Sequence, residues 1–290
     1  MRRAAFLEAP LCAGSPTDGS QYAFSALREE IASIWGDRAI LCPMAPSDRA
    51  GMSYPPNLKS LQEVCDVCRR LMKQAERALS DGMLPITMGG DHSVAMGSIA
   101  AVAETVGKEN LSVLWIDGHT DINTERTTES GCIHGMPLAQ ALGLCTDALN
   151  LGREKVHLLG QNLFILGARS IDEGEWPIID EQGVHLIPMA QIRARGIEAV
   201  MSEVMQRIST PYLHVSFDVD CMDGEVFPAT GYRMPGGMTR YEAFTAMGRA
   251  MESGRVCSVD LVEYNPLLDA DGAGRADMSA LLSLIARGVK

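Results

Sequence analysis

At 290 residues, with 46% apolar and 21% charged side chains, the chain suffices for one large α/β domain with a substantial core, and residues 1–290 read as a single domain. The formal net charge of −12 argues against a nucleic-acid or anionic-membrane partner and is compatible with a cationic substrate. No apolar run has the length of a membrane span, and the opening "MRRAAFLEAPL" has too short an apolar part for a secretory leader, so it reads as the first strand of a cytoplasmic protein.

Along the chain, apolar, β-branched runs alternate with amphipathic stretches. Strands are predicted at 4–8, 39–43, 84–88, 111–117, 163–167, 184–188, 212–218 and 256–263, and helices at 58–80, 94–106, 137–144, 197–208, 240–253 and 277–286. Near-continuous apolar strands separated by helices imply a parallel sheet covered on both faces. The eight cysteines are scattered. Cys65 and Cys68 form a CxxC on a predicted helix with no second pair at similar spacing, which reads as two packed thiols rather than a redox or zinc site. Met and Leu at helical spacing in "LMKQAERAL" and "AFTAMGRAM" read as core, and the charged "REE" at 28–30 as a solvated face.

In open parallel sheets ligands bind beyond the carboxyl ends of the strands. Four strands end in polar clusters: "ITMGGDHS", "VLWIDGHTD", "HVSFDVD" and "SVDLVEYNP". They supply His92, Asp117, His119, Asp121, Asp218 and Asp220. If the extended backbone persists past the strand, residues at i and i+2 point the same way, and Asp117, His119 and Asp121 converge. Four clustered carboxylates repel one another, and two divalent cations neutralise them. Oxygen-rich ligation with one imidazole per ion suits Mn²⁺ best. A water bridging two such ions would be acidified to hydroxide near neutral pH, which implies hydrolysis. Asp91 is read as either a helix cap or a support for this cluster. His157, His185 and His214 are read as satisfied core histidines.

The motifs "GGDHS", "DGHTDINT", "SFDVD" and "EYNP", from about Leu84 onward, resemble the ureohydrolase family of arginases and agmatinases, and most of all the arginases. The resemblance implies a three-layer α/β/α arginase-like fold with a mostly parallel, eight-stranded sheet. It implies two Mn²⁺ per subunit, the first on His92, Asp117, Asp121 and Asp218, the second on Asp117, His119, Asp218 and Asp220. It also implies hydrolysis of a guanidino substrate, L-arginine to L-ornithine and urea, by a trimer or hexamer. Asn123 and Ser130 match positions that hold an α-carboxylate. Asp172, with Glu175 nearby, matches the contact to the α-amino group, Glu263 the partner of the guanidinium, and His134 a proton shuttle. Asp121 would pass the nucleophile's proton to the leaving nitrogen.

Some positions depart from the family pattern. Gly118 replaces an Ala, which is expected to loosen the strand end. Cys132 replaces an Asn beside the α-carboxylate, Tyr232 replaces a small hydroxyl residue at the pocket rim, and Gly224 replaces a Pro. "GSPTDGS" lacks the usual N-terminal turn. Cys132 and Tyr232 leave open another guanidino substrate, such as agmatine or a guanidino acid. A catalytically silent metal-binding homologue is the non-enzymatic alternative. A single-zinc deacetylase on a related fold would leave the excess of carboxylates uncompensated.

Overall fold

A strand that is apolar at every position must be covered on both faces, because successive side chains leave it on opposite sides. In the computed structural model, which describes residues 2–289, eight strands meet that demand in one sheet. They are β1 Ala4–Glu8, β2 Ala39–Cys42, β3 Leu84–Met88, β4 Leu111–Ile116, β5 Leu163–Leu166, β6 His185–Ile187, β7 Tyr212–Asp218 and β8 Val256–Val262. The order is β2-β1-β3-β8-β7-β4-β5-β6. Every pairing is parallel rather than only most of them.

The six predicted helices are present as α3 Leu61–Ser80, α4 Ala95–Val106, α5 Pro137–Ala141, α8 Ile197–Arg207, α9 Arg240–Glu252 and α10 Ala273–Gly288. Four short ones were not predicted: α1 Ala23–Ala26, α2 Arg28–Trp35, α6 Trp176–Gln182 and α7 Met189–Arg195. At two turns or fewer, a helix offers little periodic pattern to read. "REE" opens α2 as a surface stretch, although Glu30 pairs with Arg275.

β4 shows how three layers arise from one strand. Val113 and Trp115 enter a buried layer shared with α3, α4 and α5; Leu114 and Ile116 enter the opposite layer with α7 to α10. The apolar face of α10 (Met278, Leu281, Leu282, Ile285) is buried in this second layer. The Met and Leu residues of α3 and α9 are core, except Leu61 and Leu79, which are half-buried against it. Cys65 and Cys68 are buried free thiols whose Sγ atoms bond the Ala148 and Ser93 carbonyls, which supports the packing reading. No helix among the described residues is long and apolar enough to cross a membrane.

The four strands singled out by their polar endings, β3, β8, β7 and β4, are the four central neighbours of the sheet. Their carboxyl ends therefore form one contiguous ledge.

α3 and α4 pack so closely that a Cβ on Gly97 would run into the Cys68 carbonyl. That backbone atom cannot rotate away. Gly97→Val is expected to lower stability by about 1–3 kcal/mol through overpacking, read as an earlier midpoint in chemical unfolding; an unchanged midpoint would contradict the close approach.

Candidate active site

β4 stops at Ile116, and the segment that follows is bent. The extended run expected to carry Asp117, His119 and Asp121 onto one side is therefore absent. They converge by a turn instead, with Asp121 in the left-handed region at φ 45°. Asp218 and Asp220 likewise meet through a short 3-10 turn, in which Asp218 Oδ1 accepts the Asp220 N–H at 2.8 Å. A turn needs fewer residues than a strand to close side chains around one point.

Around His92 Nδ1 stand Asp117 Oδ2 at 2.9 Å, Asp218 Oδ2 at 3.1 Å and Asp121 Oδ2 at 3.3 Å. Around His119 Nδ1 stand Asp220 Oδ2 at 3.1 Å and Asp117 Oδ1 at 3.5 Å. Two groups of ligand atoms result: His92, Asp117 and Asp218, and Asp117, His119 and Asp220. Asp117 belongs to both, each oxygen turned to one group. Asp218 falls in the first alone, so the second bridging carboxylate implied by the resemblance is not seen in this arrangement. His92 Nδ1 and Asp117 Oδ2 are buried without a hydrogen-bond partner, aimed at a common point. Ligands bound at about 2.0–2.2 Å to one divalent ion lie about 3 Å from each other, so these spacings fit an ion between them.

Without a cation the cluster distorts its own titration. Burial and neighbouring carboxylates push Asp218 well above the usual carboxylate range and Asp121 up to about 7. Burial opposes charge on His92 and His119, yet the surrounding aspartates hold both well above an ordinary histidine. Asp117, although buried, is held low by the two imidazoles. Protons on the imidazoles would balance these carboxylates, and a metal ion would displace them.

Three groups orient these ligands. His92 stacks on the buried Trp115 with ring centroids 3.8 Å apart, and its Nε2 lies 2.8 Å from Ser216 Oγ. Asp91 caps the turn at His92 by accepting the Ser93 N–H, and its other oxygen accepts the Gly14 N–H at 2.9 Å, so it both caps and ties down the loop after β1. Arg169 donates to the carbonyls of Asp220, Met222, Met234 and Pro235. Its guanidinium occupies the space that a Cβ on Gly118 would enter. Gly118 therefore admits a clamp rather than loosening the strand end. Gly224 donates its N–H to Met234 O at 3.0 Å, a bond that a proline could not make.

Above the ligands lies a cavity of about 250 Å³. Every predicted site residue lines it except His92 and Asp117, which lie beneath its floor. Glu263, at φ 62°, accepts the His92 N–H on Oε1 at 3.0 Å, and His134 Nδ1 lies 3.4 Å from the same oxygen. Despite burial, Glu263 and the nearby aspartates raise the His134 imidazole above its ordinary value. Asn123 donates to Asp172 Oδ2 at 2.8 Å. Glu175 accepts the Ile122 and Asp172 N–H groups, so it holds the wall together more than it faces the interior. Ser130 Oγ accepts the Cys132 N–H at 3.1 Å. Tyr232 stands across the cavity, its ring 5.6 Å from that of His119 and 5.5 Å from that of His134.

Sequence reasoning missed Ser216, Trp115, Arg169 and the lining residues Glu129 and Ser170. Ser216 and Trp115 carry a readable signal: each lies two residues before a ligand on its strand, and so faces the same way. Arg169 follows β5, which has no conspicuous ending. Of the three histidines read as satisfied, His214 is fully buried 3.1 Å from Asp260, and His185 bonds Arg207. By hydrogen bonds neither His157 nor His214 is satisfied, because no ring nitrogen of either has a partner.

A family model described as "Arginase family" matches residues 2–286. The chain belongs to the arginase family. The match begins far upstream of Leu84, so the divergent N-terminal third is included. Among relatives, the arginase of Neurospora crassa is 40% identical over 257 residues, covering 84% of this chain and 70% of that protein. The arginase structure from Bacillus caldovelox superposes with a TM-score of 0.91 at 30% identity, covering 98% of both chains. That of Entamoeba histolytica arginase in complex with L-ornithine gives 0.89 at 26% identity, covering 98% of this chain and 99% of the other. As a member of this metal-dependent family, the chain is a hydrolase acting on a guanidino group.

Because the His92 and His119 imidazoles are held above their ordinary values, a divalent ion bound between these groups would displace protons. Titration of metal-free protein with Mn²⁺ is expected to release protons and to show affinity that rises by about tenfold or more from pH 6 to pH 8. A calorimetric affinity independent of pH would contradict this.

Proposed function

We propose that this arginase-family hydrolase converts L-arginine to L-ornithine and urea, with two Mn²⁺ per subunit held by His92, Asp117, Asp121 and Asp218 and by Asp117, His119, Asp218 and Asp220. The observation that carries the reading is the stacking of two ligand groups directly under a cavity with Glu263 on its wall. Bound there, the two ions would acidify water and so supply a nucleophile near neutral pH.

The protein's own residues do the rest. A guanidinium is planar and permanently charged, so it needs a fixed carboxylate. Glu263 is fixed by the His92 N–H on Oε1, which leaves Oε2 for the substrate. Its left-handed backbone, like that of Asp121, costs on the order of 1–3 kcal/mol and persists only where surrounding contacts enforce it. Asp121, at the junction of floor and cavity, accepts the proton of the attacking water and delivers it to the nitrogen that leaves. His134, in contact with Glu263 and open to the cavity, returns a proton from solvent to the departing amine. Asp172 pairs with the α-amino group, and Asn123 and Ser130 offer their remaining N–H and O–H to the α-carboxylate.

A second reading, hydrolysis of another guanidino compound, is favoured by the outer wall. Cys132 offers a carboxylate no strong donor, Tyr232 narrows the passage, and Glu129 adds a negative charge. We further propose that the enzyme works in the cytoplasm as a trimer or hexamer.

Mn²⁺-loaded protein is expected to release urea from L-arginine. Asp121→Asn is expected to reduce kcat by at least about 10²-fold while circular dichroism stays native. Urea from agmatine or a guanidino acid but not from arginine would select the second reading. In that case Cys132→Asn with Tyr232→Thr should restore turnover of arginine. Urea from no guanidino compound, with both ions bound, would contradict both readings.

A further inference from the structure

The sheet layer beneath the site is not wholly apolar. On β7, Val215 and Phe217 point into the α7–α10 layer, so His214 and Ser216 point the other way, as Asp218 does. On β8, Val259 and Leu261 do the same, which puts Asp260 on the face of Ser216. The two strands pair Ser216 with Asp260 in register. Ser98 of α4 covers this point, and His214, Ser216, Asp260 and Ser98 are all 0% exposed.

A carboxylate buried this deeply is costly unless donors surround it. Asp260 Oδ2 has them: Ser98 Oγ donates at 2.6 Å, and His214 Nε2 lies 3.1 Å away, off the line of a good hydrogen bond. Burial alone would raise the Asp260 carboxyl, but His214, Ser98 and Thr87, its in-register neighbour on β3, hold it below the ordinary range, so it remains an anion. Oδ1 has no partner. Across the strand, Ser216 has the opposite deficit. With His92 Nδ1 turned to the ligand cluster, Nε2 carries the hydrogen and Ser216 Oγ accepts it. The Ser216 hydroxyl hydrogen then has no acceptor among the described residues. The Asp260 carboxylate is thus flanked in register by two hydroxyls, Thr87 on β3 and Ser216 on β7, and that of Ser216 has a free hydrogen to turn toward it.

We propose that Asp260 is a positioning residue for His92, acting through Ser216. The buried negative charge turns the Ser216 hydroxyl hydrogen toward β8 and keeps its lone pair on His92 Nε2–H. This fixes the tautomer and ring orientation that present the Nδ1 lone pair to a metal ion. Metal-ligating histidines commonly lean on a carboxylate in this way; here a serine stands between them. The proposal rests on the reading of His92 as a metal ligand.

The test uses full-length protein. Asp260→Asn removes the charge and keeps the shape. Mn²⁺ affinity at each site would be measured by competition with a chelator and by electron paramagnetic resonance, which separates coupled ion pairs from single ions. The expected result is a loss of about 10–100-fold in affinity for one of the two ions, a spectrum shifted from coupled pair to single ion, an unchanged KM, and a kcat restored by excess Mn²⁺. Val259→Ala, the adjacent residue facing the other layer, serves as the control. It should lower the melting temperature and leave Mn²⁺ affinity as in the wild type. Wild-type affinity in Asp260→Asn, or an equal loss in Val259→Ala, would overturn the proposal. If Asp260→Asn does not fold, Asp260→Asn with His214→Gln, which removes both charged partners, replaces it with the same expectations. If the unmodified protein binds no Mn²⁺, the assignment of His92 as a ligand fails first.

Discussion

Four carboxylates gathered about two imidazoles at the floor of a cavity dominate this structure. Asp117, Asp121, Asp218 and Asp220 are all buried. In the protein alone they are tolerated by protons on neighbouring imidazoles and by backbone N–H groups: His119 N–H on Asp117, Gly118 N–H on Asp220, Asp220 N–H on Asp218. Such a cluster has no purpose as packing. It is suited to receive positive charge, and its position on the sheet decides which reactions that charge can serve.

The parallel sheet makes this gathering possible. Because β3, β8, β7 and β4 are neighbours, residues from far-separated parts of the sequence reach one ledge without long loops. What the strands do not provide is the last turn of aim, which comes from local backbone conformation. Asp121 and Glu263 lie in the left-handed region, and both bear on the proposed chemistry. The same strands carry a polar seam beneath the ledge, so support for the ligands extends into the layer that holds the sheet to α4.

Much of this was legible from the residues. Strand positions followed from apolar β-branched runs, and the cluster followed from polar residues at strand ends, since charge appended to a buried strand demands an explanation. The way the ligands converge was not legible. The sequence DGHTD reads equally well as an extended run or a turn, and only the tertiary neighbours, Arg169 among them, decide for the turn. Glu175 was expected near the substrate's amino group. Instead its carboxylate is largely spent on two backbone N–H groups, a role no local pattern announces. α1, α2, α6 and α7 were missed because short helices are fixed by what they pack against rather than by their own periodicity.

Arg169 joins two regions that otherwise look independent. One guanidinium bonds the carbonyl of Asp220, in the ligand turn, and the carbonyls of Met234 and Pro235, in the segment that carries Tyr232. The entrance and the floor are therefore mechanically coupled. A change that widens the doorway also tugs on a ligand, so drift toward a new substrate in this protein is constrained by how firmly it keeps its metal.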